Sequence, residues 1–460
     1  MKICVSRGLK KGGEAGENNS TSVDMKKTRI LFIASAFFLL FTVAARPETR
    51  IKVSGQYTAQ MSLAVVKFED KGRTTPQLAD GMTTLLQDDL LISGFFTPVT
   101  NRKFIADAEA VDRRTGKIHL KEWSAINASV VVKSNYIFSG ETVTIECRAI
   151  RVSEGKQVYL KKYRDKASRW RKIIHTMADE IVFALTGEKG LARTNIAFTS
   201  TRDGKKKIYT MDAGGHDWKR LNSGKGLALY PDWTPDGKSL AYTSYSYGLP
   251  WIFLDNLITG KRKVISRQPG LNAYPAISPD GRWVTFSLSK DGNVEIYKMR
   301  LDGTDLTRLT RTHTRVNDCS PTWSPDGRKI AFTSDRRGSP QIYVMNADGG
   351  SLRRVTVKGG YNTSPDWSPR GDLIAYSSRI KGNFEICTIN IRTGEVTRLT
   401  KNRNNDEDPS WAPDGRHLVY SSKQSGRTNL FVIDIANPRP IQITRGKDCF
   451  SPAWGPYSSR

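Results

Sequence analysis

Cysteine and histidine are scarce in this 460-residue sequence, and neither is spaced as metal ligands usually are. The five cysteines show no CxxC pair, and the five histidines form no HxH or HExxH motif. Zinc ligands normally come in such short spacings. We therefore expect no metal site and no cofactor.

Catalytic signatures and repeated apolar segments are missing as well. No GxSxG, Walker loop, GxGxxG or pair of catalytic carboxylates stands out, and only one long apolar run exists, which argues against a membrane bundle. The net charge is +27, yet no block of five or more basic residues occurs, so a nucleic-acid track is not favoured. These absences favour a binding protein over an enzyme.

The one apolar run lies near the N-terminus. Lys26, Lys27 and Arg29 precede the uncharged residues 30–45, which end in Val-Ala-Ala. A basic cluster, an apolar stretch and small residues, in that order, are typical of a secretory signal peptide, whereas a membrane span needs about 20 apolar residues. We predict a leader and signal peptide over residues 1–45 and export to the periplasm. A retained anchor is the alternative.

A phrase close to Pro-x-Trp-Ser-Pro-Asp-Gly recurs through the second half of the chain. Its first prolines stand at 231, 275, 321, 365, 409 and 452, so that the period is 43 to 46 residues. A period in the forties with several short strands per unit is the signature of a propeller blade. The Ser-Pro-Asp-Gly part suits a type I turn, which accounts for the repeated Asp residues without catalysis.

The two ends of the repeat region complement each other. The strand at residues 196–200 has no Pro-x-Trp strand before it, and the Pro-x-Trp strand at 452–456 has nothing after it. Pairing them would close the ring and remove two sheet edges. We therefore predict a six-bladed, all-β propeller of 24 strands over residues 191–460, closed by the C-terminal strand in the first blade.

Residues 46–190 mix helical and strand periods. Strands are predicted at 62–68, 128–138, 142–150 and 157–163, with a hairpin turn at Ser139 and Gly140. Helices are predicted at 76–91, capped by Thr75, and at 167–185. This pattern indicates an α/β domain, preceded by a polar arm at 46–60.

Residues 179–198, across the junction of the two regions, resemble the TolB family, the periplasmic propellers of the Tol–Pal system. The repeats and the ending Phe-Ser-Pro-Ala-Trp-Gly-Pro-Tyr at 450–457 are similar to the same family, and residues 50–53 and 63–68 match it more loosely. The resemblance covers residues 46–460. It implies that one propeller face binds the lipoprotein Pal, that the N-terminal arm binds TolA, and that the protein supports outer-membrane integrity and constriction at cell division.

The family's Pal-facing loops lie just before each Pro-x-Trp strand. By position they correspond to Leu271, Asn272, Ala273, Tyr274, Asn317, Asp318, Cys319, Tyr361, Asn362, Thr363, Asp406, Glu407, Asp408 and Asp448. The arm residues implied in TolA binding are Glu48, Arg50, Ile51 and Val53.

The residue types point to the same face. Acids and amides in these loops would form a ring of reversed sign at the channel mouth of a basic protein. Alternatively, they only cap turns and bind water. Two functions stay open: a protein-interaction scaffold acting as a monomer, and a cell-wall carbohydrate-binding or hydrolytic propeller, which would need convergent titratable groups in the channel.

The cysteines after residue 45 are far apart in this expected fold. Cys319 and Cys449 fall in opposite blades, Cys387 in a blade strand and Cys147 in the other domain. A disulfide needs Cα atoms within about 7 Å. We therefore expect four free thiols.

Overall fold

The computed structural model describes residues 60–73, 75–221 and 224–457. The predicted signal peptide and the arm residues Glu48, Arg50, Ile51 and Val53 lie outside them. The described residues form a mixed sheet with helices, followed by six four-stranded sheets. No helix in this part of the chain is long and apolar enough to cross a membrane.

The mixed sheet contains both parallel and antiparallel strands. Its members are β1 (Met61–Val65), β2 (Glu69–Asp70), β3 (Phe96–Pro98), β4 (Val130–Ser139), β5 (Thr142–Arg151) and β6 (Lys156–Lys166). The spatial order is β3-β1-β4-β5-β6, and β2 pairs with β4. β1 runs parallel to β3 and β4, while β4, β5 and β6 form an antiparallel meander. The predicted hairpin turn is confirmed at Gly140, which has a φ of 57°.

Four helices pack on the two faces of this sheet. They are α1 (Leu78–Ile92), α2 (Arg102–Thr115), α3 (Leu120–Ala125) and α4 (Trp170–Thr186). Successive strand residues point to opposite faces, so Val132 packs with α1 and α4, whereas Val131 packs with α2 and α3. The helices predicted at 76–91 and 167–185 are confirmed. The predicted Thr75 cap is wrong, because α1 begins after Gln77 and has no side-chain cap.

The six remaining sheets are the blades, and their innermost strands lie next to one another around a channel. Blade 1 contains β7 (Asn195–Ser200), β8 (Lys207–Asp212), β9 (Lys219–Arg220) and β30 (Cys449–Trp454). Blade 2 is β10 (Ala228–Trp233), β11 (Ser239–Ser244), β12 (Trp251–Asn256) and β13 (Arg262–Ser266), and blade 3 is β14 (Asn272–Ile277), β15 (Trp283–Leu288), β16 (Glu295–Arg300) and β17 (Thr307–Arg308). Blade 4 is β18 (Asp318–Trp323), β19 (Lys329–Ser334), β20 (Gln341–Asn346) and β21 (Arg353–Arg354), and blade 5 is β22 (Asn362–Trp367), β23 (Leu373–Ile380), β24 (Asn383–Asn390) and β25 (Val396–Arg398). Blade 6 is β26 (Asn405–Trp411), β27 (His417–Gln424), β28 (Arg427–Asp434) and β29 (Asn437–Gln442).

The C-terminal strand closes the ring as predicted. β30 is the innermost strand of blade 1 and runs antiparallel to β7, with Cys449 opposite Ser200 and Trp454 opposite Ile196. The buried Trp454 indole donates a hydrogen bond of 2.8 Å to Oγ1 of Thr194, just before β7. The last residues of the propeller are therefore held by its first residues.

The recurring tryptophans join neighbouring blades. The indole of Trp233 donates to the carbonyl of Ala453 in the preceding blade at 3.0 Å. Trp323 and Trp411 repeat this contact in blades 4 and 6, with distances of 3.1 Å in both. Burying the ring while satisfying its N–H explains why tryptophan recurs at this place.

The mixed sheet and the propeller share a core. Ile92 at the end of α1 and Leu191 pack in one cluster with Ile443 and Trp454 of the propeller. The boundary predicted at residues 190–191 falls between α4 and β7, and the domain limits stay a prediction.

Three of the four cysteines after residue 45 have free thiols, as expected. Cys147, Cys387 and Cys449 are free and buried. The fourth cysteine after residue 45, Cys319, is also buried, and the four free thiols expected of this part of the chain stay a prediction.

Candidate functional site

Every innermost strand is bulged at its first proline. The residue before that proline adopts a left-handed conformation, with φ between 44° and 55°, and the pairing register with the second strand shifts there. Such a conformation costs a non-glycine residue about 1–2 kcal/mol. In blades 4 and 6 the backbone N–H of this left-handed residue donates a hydrogen bond to a serine hydroxyl of the preceding blade. The six residues are Tyr230, Tyr274, Ser320, Ser364, Asp408 and Ser451.

The bulged segments line a narrow channel of about 140 Å³. The rings of Tyr230 and Tyr274 lie 3.9 Å apart on one side, with their hydroxyls hydrogen-bonded at 3.0 Å. On the other side Asp408 accepts hydrogen bonds from the hydroxyls of Ser364, at 2.8 Å, and Ser451, at 3.2 Å. Hydrogen bonds between side chains of neighbouring blades thus stabilise the channel wall.

Two channel carboxyls have raised pKa values, and both are occupied in holding blades together. Burial raises the pKa of Asp232 to about 7 and that of Asp366 to about 6. Asp232 accepts from the N–H of Ile277 in the next blade, and Asp366 accepts from the N–H of Trp411, each at 2.7 Å. The two acids lie three blades apart, on opposite sides of the channel. This arrangement braces the ring and does not bring the acids together as a catalytic pair.

Half of the predicted acids and amides lie beneath the surface. Asn272, Asp318, Asn362 and Asp406 occupy the first or second position of their inner strands and have no exposed surface. We call the loop that precedes an inner strand its mouth loop. Each of these four side chains forms hydrogen bonds within its own mouth loop or with a neighbouring loop. The amide of Asn272, for example, accepts from Ser266 at 2.6 Å and donates to the carbonyl of Gln268 at 2.8 Å. These side chains organise the loops, as the turn-capping alternative predicts.

The other predicted residues differ in exposure. Ala273, Cys319 and Thr363 are also buried. The partly exposed members are Leu271, Tyr274, Asn317, Tyr361, Glu407, Asp408 and Asp448. Even here Asp448 accepts from the N–H of Thr428, at 2.8 Å.

The surface of this face is basic. The exposed cations of the mouth loops and of the loops between second and third strands include Arg202, Lys205, Lys225, Arg267, Lys290, Arg315, Arg337, Lys358, Lys381, Lys401, Arg403, Arg445 and Lys447. The exposed acids, Asp203 and Asp291, contact Arg220 and Arg308. Of the predicted acids, Asp318 and Asp406 are buried, while Glu407, Asp408 and Asp448 are partly exposed among these cations. The face is therefore basic and does not show the expected ring of reversed sign.

One apolar patch on this face was not predicted. Leu227, Tyr247 and Leu249 of blade 2 are 39%, 67% and 58% exposed. The two loops that carry them are joined by a hydrogen bond from the N–H of Tyr245 to the carbonyl of Leu227, and the ring of Tyr247 stacks 5.0 Å from that of Trp251. We call Leu227, Tyr247, Leu249 and Trp251 the blade-2 patch. Exposed aromatic and aliphatic side chains on preformed loops are typical of protein-binding surfaces.

The blade-2 patch left a signal in the sequence. Its loop reads Tyr-Ser-Tyr-Gly-Leu-Pro at residues 245–250, where blades 3 and 4 have Ser-Lys-Asp-Gly-Asn and Asp-Arg-Arg-Gly-Ser. Aligning the loops between second and third strands, in addition to the mouth loops, would have shown that blade 2 is the apolar exception.

Two family models match the chain. The TolB amino-terminal domain matches residues 49–158, and the TolB beta propeller domain matches residues 182–458. The chain belongs to the TolB family.

Within the described residues no group of three or more His, Cys, Asp or Glu side chains could hold a metal ion.

Relatives of this TolB-family chain agree with that assignment. The Tol-Pal system protein TolB of Desulfosudis oleivorans is 33% identical over 290 residues, which is 63% of this chain and 66% of the relative. The protein of the same name from Geobacter metallireducens is 42% identical over 216 residues, which is 46% of this chain and 50% of the relative. Both matches span less than two thirds of the relative. The crystal structure of TolB from Acinetobacter baumannii superposes with a TM-score of 0.73 at 28% identity, covering 88% of this chain and 99% of that one.

Proposed function

We propose that this protein is a non-catalytic, periplasmic scaffold of the Tol–Pal system that supports outer-membrane integrity and constriction at cell division. The observation that carries the proposal is the pair of TolB family matches, which together cover both parts of the fold. The periplasmic location rests on the signal peptide predicted for residues 1–45. The absence of catalysis rests on channel acids that are each engaged in bracing the blades.

The loop face is the proposed binding surface for Pal. It offers an apolar area in the blade-2 patch and exposed cations on the loops of the other blades. The residues predicted from the sequence that are partly exposed and can add contacts are Leu271, Tyr274, Asn317, Tyr361, Glu407, Asp408 and Asp448. Protein interfaces concentrate their binding energy in a few aromatic and aliphatic anchors, with charges at the rim that speed association. The partner surface should therefore be acidic around an apolar spot.

The N-terminal arm is the proposed binding segment for TolA. Its residues Glu48, Arg50, Ile51 and Val53 precede Gln60, whose side-chain amide donates to the carbonyl of Gly94 at 2.8 Å. Gly94 lies against Asp434 of blade 6. Gln60, the last residue of the predicted arm, thus lies where the mixed sheet meets the propeller.

Calorimetric titration with the two purified partners tests the proposal. Residues 46–460 should bind both Pal and the C-terminal domain of TolA. Removing residues 46–55 should abolish TolA binding and leave Pal binding within twofold. If the intact chain binds neither partner, the proposed function is wrong; if the truncated chain still binds TolA, the arm assignment is wrong.

A further inference from the structure

β6 is the last strand of the mixed sheet and has one unpaired edge. It is 11 residues long and pairs with β5 along its inner side, and no other described strand pairs with it. An edge strand presents a row of free N–H and C=O groups that can accept another strand. At the opposite end of the sheet β3 has only three residues, so β6 is the longer of the two edges.

On the side of the sheet away from α4, none of the described helices packs beside this edge. α2 and α3 pack over β1 and the start of β4, with Val131 in their cluster. Farther along, the cross-strand pairs Arg148–Leu160 and Thr144–Arg164 stand on the same face. Leu160 is 56% exposed on it, and Ile137 of β4 is 42% exposed. A strand that pairs with β6 would place its own side chains beside Leu160 and cover part of that exposed side chain.

This face carries three exposed cations that form no ion pair with a described carboxylate, although Glu146 is the cross-strand neighbour of Lys162. Arg148, Lys162 and Arg164 project from it, and among the described residues none of them forms an ion pair within 4 Å. By contrast Lys161, on the opposite face of β6, contacts Glu180 of α4 at 2.7 Å. Glu146 is the one acid among the described β5 and β6 residues of this face.

We propose that the outer edge of β6 binds an acidic, extended polypeptide segment, which adds to the sheet as a further strand. The free edge supplies the main-chain hydrogen bonds, and Arg148, Lys162 and Arg164 select a segment with acids at alternate positions. A second copy of this chain is disfavoured, because its own basic β6 would be repelled. An anionic membrane could meet the cations but could not pair with the strand edge. This proposal does not rest on the proposed function.

The probe is a blocked, fluorescein-labelled nine-residue peptide of alternating Glu and Val, titrated against residues 46–460. We expect saturable binding, measured by fluorescence anisotropy, that weakens with added salt. On binding, hydrogen exchange should slow at alternate amides of Lys156–Lys166 and nowhere in the propeller. The triple variant Arg148→Gln, Lys162→Gln, Arg164→Gln should bind about tenfold more weakly, because three charge contacts are lost.

The control variant removes the same number of exposed cations from the propeller side away from the mouth loops: Lys261→Gln, Arg282→Gln, Arg328→Gln. It should bind within twofold of the unaltered chain, with Tm confirming that both variants are folded. An equal loss in both variants would mean non-specific attraction and would overturn the proposal. Peptide binding without slowed exchange in β6, or β6 protection by vesicles of anionic lipid but not by the peptide, would also overturn it.

Discussion

Nδ1 of His175 on α4 lies 2.7 Å from Oδ2 of Asp89 on α1, and its Nε2 lies 3.5 Å from Oδ2 of Asp212 in blade 1. All three side chains are largely buried. Burial raises the pKa of Asp89 to about 7, against the lowering influence of His175. Burial alone would lower the pKa of His175, but the hydrogen bond and charge of Asp89 outweigh it and raise that pKa. The contact between the mixed sheet and the propeller therefore holds a proton.

The free energy of unfolding should fall as the pH rises. Both pKa values are higher in the folded state, so the folded state binds these protons more tightly than the unfolded state does. The loss runs upward from the unfolded value of 3.8 to about 7 for Asp89, and upward from 6.5 for His175. Tm measured from pH 5.5 to 8.5 should decline, and Asp89→Asn should make the decline shallower, because it removes one raised pKa and the main cause of the other. Asp80→Asn, an exposed position on the same helix, should leave the slope unchanged; a slope equally steep in Asp89→Asn would contradict this explanation.

Gly94 and Gly187 form a matched pair for testing the contact between the two parts. Each glycine follows a helix, and their φ values are similar, at 75° for Gly94 and 77° for Gly187. A Cβ at position 94 would lie 2.6 Å from Oδ2 of Asp434, whereas a Cβ at position 187 would meet no atom within 4 Å. Gly187→Ala should cost about 1–2 kcal/mol from backbone strain alone. Gly94→Ala should cost clearly more by urea unfolding. Equal costs would mean that Asp434 moves aside freely.

Because β30 closes the ring, we expect Trp454 to stabilise the folded propeller. Its ring is buried and its N–H is bonded to Thr194, so Trp454→Ala should cost about 3–5 kcal/mol. Deleting residues 450–460 should abolish cooperative unfolding of the propeller. Trp251→Ala, at a partly exposed position, is the control and should cost much less. A truncated chain with unchanged Tm would refute the closure.

Asn272 is predicted to act in loop structure and not in contact with a partner. Ala228 occupies the corresponding place in blade 2, so the backbone tolerates alanine there. Asn272→Ala should cost about 1–3 kcal/mol, since Ser266 and Gln268 lose buried partners. Pal affinity should stay within twofold, measured where the variant is fully folded. A large affinity loss with unchanged stability would make Asn272 a contact residue.

The sequence was sufficient to predict the propeller, because the repeat reports the fold directly. The fixed period and the turn residues of the repeated phrase predict the blades. The complementary ends of the repeat region predict that β30 pairs with β7. It was less informative for α2, where Ala108 and Asp112 are the buried residues and the apolar stripe is too thin to reveal a helix. Thr75 has a cap-forming side chain, but α1 begins three residues later.

The binding face was harder to predict, because residue type does not report burial. Asp318 and Asp406 were expected at the mouth surface, yet both lie under the loops that they stabilise. Burial raises the pKa of Asp318 to about 6, while Arg336 donates to it at 2.7 Å. Tyr247 was missed because it lies outside the repeated phrase. Its importance comes from exposure beside Trp251, which only the folded loops show.

The most direct test of the central claim is the affinity for Pal of a chain lacking the blade-2 patch. Tyr247→Ala combined with Leu249→Ser should weaken binding at least about 30-fold by calorimetry, because two interface anchors are lost. Tm should change little, since both side chains are mostly exposed. Ile258→Ser, which removes a 76% exposed aliphatic side chain from the opposite side of the same blade, should bind Pal like the unaltered chain. Unchanged affinity in the folded double variant would contradict the claim that Pal binds at this face.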